Sequence, residues 1–347
     1  MKICGDVLRE RCSYTSGLIY FPDIWIKGIE MWDTQPVVCN PITGRYGILP
    51  VLMRYRKSKS VLGFNPMGKQ FKVVAESFPF CSERDHHKIL TLGNGKLGWR
   101  SKNSHCPSYR ESLGQGICIN GFCYFLVDHY KEPYSVILCV HVRSEKFKLI
   151  DAGCFCYLNK VKLVNYKGRL GGISFTYAIY DGMLTNTLEL CMCVLEDVET
   201  QEWSKSVYSL GAKAPLDPLN HYVVGVTSAG EIVLSSKDTT KQFYVFYFSP
   251  ERNTLQKVEI QGLKDKCSVH VFVDHVEDID VNDANQLSRP VKEGLEITRK
   301  RPVPPKQPKP QKQHTSRGLG KSHPSVKNKQ PAILLGNKYE LLTDDIE

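Results

Sequence analysis

At 347 residues the chain is long enough for one large domain or two ordinary ones, and a hydrophobic content of 41% supplies a sizeable core. No apolar run reaches the roughly 18 residues of a membrane-spanning helix, and Met1–Asp6 lacks the apolar stretch of a secretory signal, so neither a membrane nor a secreted protein is expected. The net charge of +10 has a single source: residues 288–329 hold 12 Lys and Arg against 2 Asp and Glu, while the rest of the chain holds 34 of each, which gives the body no overall attraction for nucleic acid.

Residues 1–16 are polar and without periodicity, and Gly17–Phe21 is a short apolar run. Pro36–Pro50 (PVVCNPITGRYGILP) predicts strand, turn and strand, the outer half of a first, incomplete unit. Arg54–Lys59 reads as a solvated basic loop. Leu62–Ala75 predicts a hairpin turning at Asn65-Pro66-Met67-Gly68, and Ile89–Ser101 a second one turning at Gly93–Lys96. Gly116–Asp151 carries the clearest pattern. Its runs Gly116–Ile119 and Phe122–Val127 are joined by Asn120-Gly121, which supplies the positive φ angles of a tight hairpin. Val136–Val142 and Phe147–Asp151 follow, joined by polar residues 143–146. Four short strands in about 36 residues make an antiparallel meander that cannot bury both faces alone.

The pattern recurs in Leu163–Phe175 with Leu188–Leu210, and in Val223–Ser235 with Phe243–Gly262. A large side chain follows the last turn of each unit: Trp99, Phe147, Trp203 and Leu255, at intervals of 48, 56 and 52 residues. That spacing predicts propeller blades of four strands each. The fold class expected is therefore all-β: a kelch-like β-propeller of about five to six blades, its first part trimmed, with a disordered basic C-terminal tail. A two-sheet β-sandwich is the alternative. Val269–Val273 is a last strand, placed to complete the first or last blade and remove an open edge.

Variable polar segments, among them 78–85, 102–115, 129–133 and 177–186, join the strands and would collect on the propeller faces, where binding residues usually sit. Tyr109, His129, Tyr130 and Tyr134 are the aromatics in these connections and are the candidate partner-binding residues. In the tail, Arg299, Lys300, Arg301, Lys306, Lys309 and Lys312 form a basic, proline-rich stretch suited to nuclear import or to weak phosphate contacts, without the interleaved aromatics that stack on bases.

The 13 cysteines include no C-x-x-C pair, so reduced core thiols in a cytoplasmic or nuclear protein are expected, with no metal and no cofactor. The sequence holds no G-x-S-x-G, no P-loop and no G-x-G-x-x-G. His86-His87 is a poor metal pair, because neighbours in a strand point to opposite faces. No catalytic residue is nominated.

An ordered series of motifs then carries a resemblance. It runs through Cys39–Gly44, LGFNPMGKQFKVV (Leu62–Val74), ILTLGNGKLGWR (Ile89–Arg100), GICINGFCYFL (Gly116–Leu126), VRSEKFKLI (Val142–Ile150), LVNYKGRLGGI (Leu163–Ile173), VGVTSAGEIVLS (Val224–Ser235) and DHVEDI (Asp274–Ile279). In this series the chain resembles plant F-box proteins with a type 3 F-box-associated domain, over residues 17–279, flanked by a non-matching segment 1–16 and the tail 280–347. The resemblance implies a non-enzymatic module that holds a target protein for an SCF-type ubiquitin ligase. In such proteins a helical F-box docks a Skp-type adaptor of the cullin complex. No stretch before Gly17 matches an F-box, so loss of adaptor docking is expected, leaving a remnant or decoy. Two other functions compete: a nucleic-acid- or chromatin-associated protein acting through its tail, and, by fold analogy alone, a propeller enzyme.

Overall fold

The computed structural model describes residues 12–24, 34–52, 59–76, 87–93, 97–101, 107, 109, 111–129, 134–155, 158, 160–181, 183–211, 214–237, 242–261, 269–274, 289–290 and 332–335. Five antiparallel meanders follow one another in chain order. Blade 1 holds β1 (Ser13–Thr15), β2 (Leu18–Ile24), β3 (Gln35–Cys39) and β4 (Arg45–Ile48). Blade 2 holds β5 (Ser60–Asn65), β6 (Gln70–Glu76), β7 (His87–Thr91) and β8 (Arg100–Ser101). In blade 3, the short β9 (Glu111–Ser112) pairs with the far end of β11; the meander itself is β10 (Ile117–Ile119), β11 (Phe122–Asp128), β12 (Val136–His141) and β13 (Phe147–Asp151). Blade 4 holds β14 (Lys162–Tyr166), β15 (Arg169–Tyr180), β16 (Met183–Asp197) and β17 (Glu202–Leu210); blade 5 holds β18 (His221–Val226), β19 (Ile232–Ser236), β20 (Phe243–Ser249) and β21 (Thr254–Ile260).

The turns explain the register. Asn120 and Gly121 have φ of 48° and 84°, and Ser16-Gly17 and Lys167-Gly168 repeat the pair at 43°, 80° and 51°, 84°. Two positive φ angles in a two-residue connection match the twist of the strands they join. The outer turns share another device, one positive φ just before the fourth strand, at Gly44, Glu145, Gln201 and Asn253. A residue inserted or lost in either turn would flip the pleat of the next strand.

Each blade is buried on both faces, which is why its middle strands read as unbroken apolar runs instead of alternating ones. In β16, Leu188, Leu190, Met192 and Val194 point into a cluster shared with blade 5, while Cys193 and Leu195 point into one shared with blade 3. In β2, Leu18 and Tyr20 face blade 2, while Ile19 and Phe21 face the opposite way. Because each sheet packs between two neighbours, the architecture is a five-bladed β-propeller and not a two-sheet sandwich. The first blade has all four strands, contrary to the incomplete unit expected. Its innermost strand is three residues of Ser-Tyr-Thr, too short and polar to signal itself, and is held by the register Ser13↔Tyr20 and Thr15↔Leu18.

The ring closes on β22 (Val269–Phe272). This strand was expected to complete a blade; instead it wedges between two complete ones. Val269, Val271 and Val273 pack on Val233, Phe243 and Val245 of blade 5, and Phe272 packs on blade 1, 6.2 Å from the Tyr14 ring. Alternation thus serves two blades with one strand. Of the C-terminal stretch, β23 (Arg289–Pro290) pairs antiparallel with β4, and β24 (Ala332–Leu335) pairs parallel with β22.

Candidate functional site

The inner strands surround a central channel of about 1050 Å³, lined by residues from blades 1, 3, 4 and 5 and from β22. The chain direction gives the channel two unlike mouths. At one end lie the tight turns that join first to second strands; at the other, the long-connection end, the second strands stop and the third strands begin. Lys160 precedes β14 and Lys237 follows β19, so both stand at the long-connection mouth, and Lys162 lies just inside it. Lys167 and Asp274 stand at the other mouth, and Asp274 is the sole carboxylate among the described lining residues. At the long-connection mouth the described lining residues bring three lysines and no carboxylate, with the Asp217 carboxylate in the turn beside them.

This basic rim is ordered by hydrogen bonds. Lys162 Nζ donates to Gln115 Oε1 at 2.7 Å. Lys237 Nζ donates to the carbonyl oxygens of Leu219 at 2.9 Å and Pro218 at 3.3 Å. The Asp217 carboxylate shapes the same turn: it accepts from Leu219 N at 2.8 Å, Asn220 Nδ2 at 2.6 Å and the Tyr177 hydroxyl at 3.2 Å. These bonds, the Leu219 amide first, hold the Asp217 carboxyl below its ordinary value. Burial lowers His221, against the pull of Asp217, toward its neutral form.

The Tyr177–Asp217 bond ties this turn to a projecting hairpin. β15 and β16 continue past a bulge between Tyr177 and Ile179, pairing Ile179 with Leu184 and Tyr180 with Met183. Ile179 is 63% exposed, Met183 75% and Leu219 73%. Three apolar side chains thus stand in water beside a basic mouth, the arrangement of a contact surface with an apolar centre and a charged rim.

Tyr109, a candidate for partner contact or for local packing, is buried. Its hydroxyl donates to Glu76 Oε1 at 2.9 Å and meets His87 Nε2 at 2.7 Å; Ser112 Oγ also donates to Glu76, and the Lys59 amide donates to Glu76 Oε2 at 2.9 Å. It is a structural bolt between blades 2 and 3. His129 is half-buried at the end of β11, and Tyr134 is half-buried against the cluster shared by blades 2 and 3. Tyr130 and Arg299, Lys300, Arg301, Lys306, Lys309 and Lys312 lie outside the described residues. Sequence reasoning marked 177–186 as a polar connection and missed Ile179 and Met183, which single apolar residues among Thr, Asn and Asp do not announce. Among the described residues no group of three or more His, Cys, Asp or Glu could hold a metal ion, and no helix is long and apolar enough to cross a membrane.

The F-box associated beta propeller domain matches residues 1–276. The chain belongs to the F-box-associated β-propeller family. The match includes residues 1–16, which the motif series left outside. F-box protein At3g57590 of Arabidopsis thaliana is 50% identical over 297 residues, covering 82% of this chain and 72% of that protein. Putative F-box protein At1g33020 of the same plant is 44% identical over 319 residues, covering 90% of this chain and 54% of that protein, and At1g30925 is 45% identical over 286 residues, covering 81% and 50%. The chain thus spans about half the length of the latter two. A solved polysaccharide lyase, Uly1, aligns over 75% of this chain and 82% of its own with a TM-score of 0.43 and 9% identity, too remote to bear on function. The F-box-associated family is one of recognition proteins, not catalysts.

Proposed function

We propose that this propeller is the target-holding module of an SCF-type ubiquitin ligase receptor, working in the cytoplasm or nucleus, and that it grips a target protein on its long-connection face. Family membership supports the class of function. The observation that carries the choice of face is the exposed trio Ile179, Met183 and Leu219 beside the Lys160–Lys237 rim. A target segment with apolar side chains flanked by acidic ones fits both features. Holding it there serves the ligase by effective concentration, with no bond made or broken on the propeller.

The recognition domain is the propeller through about residue 279, with 280–347 as a basic appendage. The Skp-type adaptor is docked by an F-box where one is joined to the propeller, and not by the propeller itself. Among the described residues the helical content is the single 3-10 turn Gly153–Phe155, which offers no helical docking motif.

Cross-linking mass spectrometry on the complex recovered from plant extract tests the reading. Cross-links to a target are expected at Lys160 and Lys237. Cross-links concentrated at Lys69, Lys146 and Lys167, on the tight-turn face, would overturn it.

A further inference from the structure

Cys118 and Cys123 are direct cross-strand partners in the hairpin of β10 and β11, in the register Cys118↔Cys123. The two-residue turn makes Ile119 and Phe122 the hydrogen-bonded pair that closes the hairpin, so the next pair is a non-hydrogen-bonded one. Cα atoms in such a pair lie about 4.5 Å apart with side chains on one face, inside the ~4.4–6.8 Å range that a disulfide spans. The two thiols are free and stand on the same face of the hairpin.

Their surroundings differ. Cys123 is fully buried, with its sulfur so close to the β5 backbone that a Cβ on Gly63 would stand 2.6 Å from it. Cys118 is only partly buried and lines the channel, and its Sγ accepts the Phe64 amide at 3.3 Å. The hydrogen bond from Cys123, helped by the Phe64 amide and opposed by burial, brings the Cys118 thiol down to about 7 from an ordinary 9.0. Cys123 is pushed the other way by the same bond and by burial. Burial raises Cys39 to about 12 and Cys139 to about 11. Cys191 and Cys193 sit two apart on one strand, without this cross-strand geometry.

We propose that Cys118 and Cys123 form an oxidant-responsive dithiol in the channel wall, in which Cys118 reacts first with hydrogen peroxide and Cys123 resolves it to a disulfide. The Cys118 thiolate attacks one peroxide oxygen; the S–O bond forms, the O–O bond breaks, and the departing hydroxide takes up a proton to become water. Cys123 then attacks the sulfenic sulfur; the S–S bond forms and the S–O bond breaks. The Cys123 proton leaves with the hydroxide as a second water. Two thiols lose two electrons and the peroxide gains them. The disulfide draws Cys118 Sγ off the Phe64 amide, removing a tie between blades 2 and 3 at the channel.

Trypsin digestion of the intact chain tests this directly, because the peptide Glu111–Lys131 carries these two cysteines and no others. In the reduced chain at pH 7, iodoacetamide is expected to label Cys118 on the order of tenfold faster than Cys139. Hydrogen peroxide at low concentration is expected to remove two hydrogens from that peptide and to block alkylation of both residues. In C123S, dimedone is expected to trap a sulfenic acid on Cys118. Equal labelling of Cys118 and Cys139, or peroxide oxidation elsewhere while both cysteines stay alkylatable, would overturn the proposal. So would accumulation of sulfinic acid on Cys118 in the wild-type chain without the disulfide. The wild-type measurements stand even if a variant folds poorly.

Discussion

Glu145, in the outer turn of blade 3, accepts an ion pair at 2.6 Å from Lys72 on the second strand of blade 2, and the two side chains are only 6% and 8% exposed. Arg100 of blade 2 donates to both oxygens of the same carboxylate. One buried charge thus joins two blades where the apolar cluster between them reaches the outer turn.

Burial alone would raise the Glu145 carboxyl, but the hydrogen bonds and charges of Arg100 and Lys72 outweigh it and hold the group down to about 2 from 4.5. A carboxyl depressed in the folded state stabilises the fold fully above its unfolded value and loses that contribution as pH falls from about 4.5 through about 2. Glu145→Ala leaves Lys72 buried without its partner and should cost about 3 kcal/mol in urea denaturation at pH 7. The gap between wild type and variant should narrow below pH 4.5; a gap that does not change with pH would contradict the assignment.

Tyr109→Phe should cost about 1–3 kcal/mol, because Glu76 loses a donor and His87 a partner in a buried interface. Target binding should be unchanged, since the residue is 2% exposed. Melting curves and binding isotherms on one preparation separate the two outcomes.

The same pair of roles shows what the sequence can and cannot reveal. Asn120-Gly121 and Lys167-Gly168 announce their turns because few residues adopt positive φ, and the runs around Leu138 and Met192 announce strands buried on two faces. Trp99 and Trp203, read from their spacing alone, prove to be equivalent: each indole donates to a carbonyl at the end of the preceding blade, at Pro50 (2.8 Å) and Asp151 (2.9 Å). Tyr109 misleads because a tyrosine in a polar connection suits a partner or a buried carboxylate equally well. The Ile179–Met183 tip and the wedge role of β22 depend on which strands meet in space, and local pattern does not encode that.

The indole bonds give a matched test. Trp203→Phe keeps most of the ring packing against Phe155, 5.2 Å away, and removes the bond to Asp151, so a loss of about 1 kcal/mol is expected. Trp99→Phe should cost a similar amount through Pro50. A negligible loss at both positions would show that the latch is dispensable.

The closing wedge should be more sensitive. Val269 is 1% exposed and packs against Val233, Phe243 and Val245 of blade 5. Val269→Asp would set a carboxylate among those apolar side chains and should cost several kcal/mol, on the order of 3 or more. Hydrogen exchange should show the loosening first in β18 and β1, on either side of the wedge; uniform loosening of all five blades would argue against a closing role.

The most direct test of the central claim uses two exposed methionines on opposite faces. Met183 is 75% exposed on the long-connection face, and Met67 is 81% exposed in the tight inner turn of blade 2. Partners captured from plant extract by wild type, Met183→Asp and Met67→Asp are quantified side by side. Met183→Asp is expected to cut recovery of the specific partner at least tenfold, about 1.4 kcal/mol of binding, and Met67→Asp to leave it unchanged. Loss with Met67→Asp and retention with Met183→Asp would place the target on the other face and contradict the account.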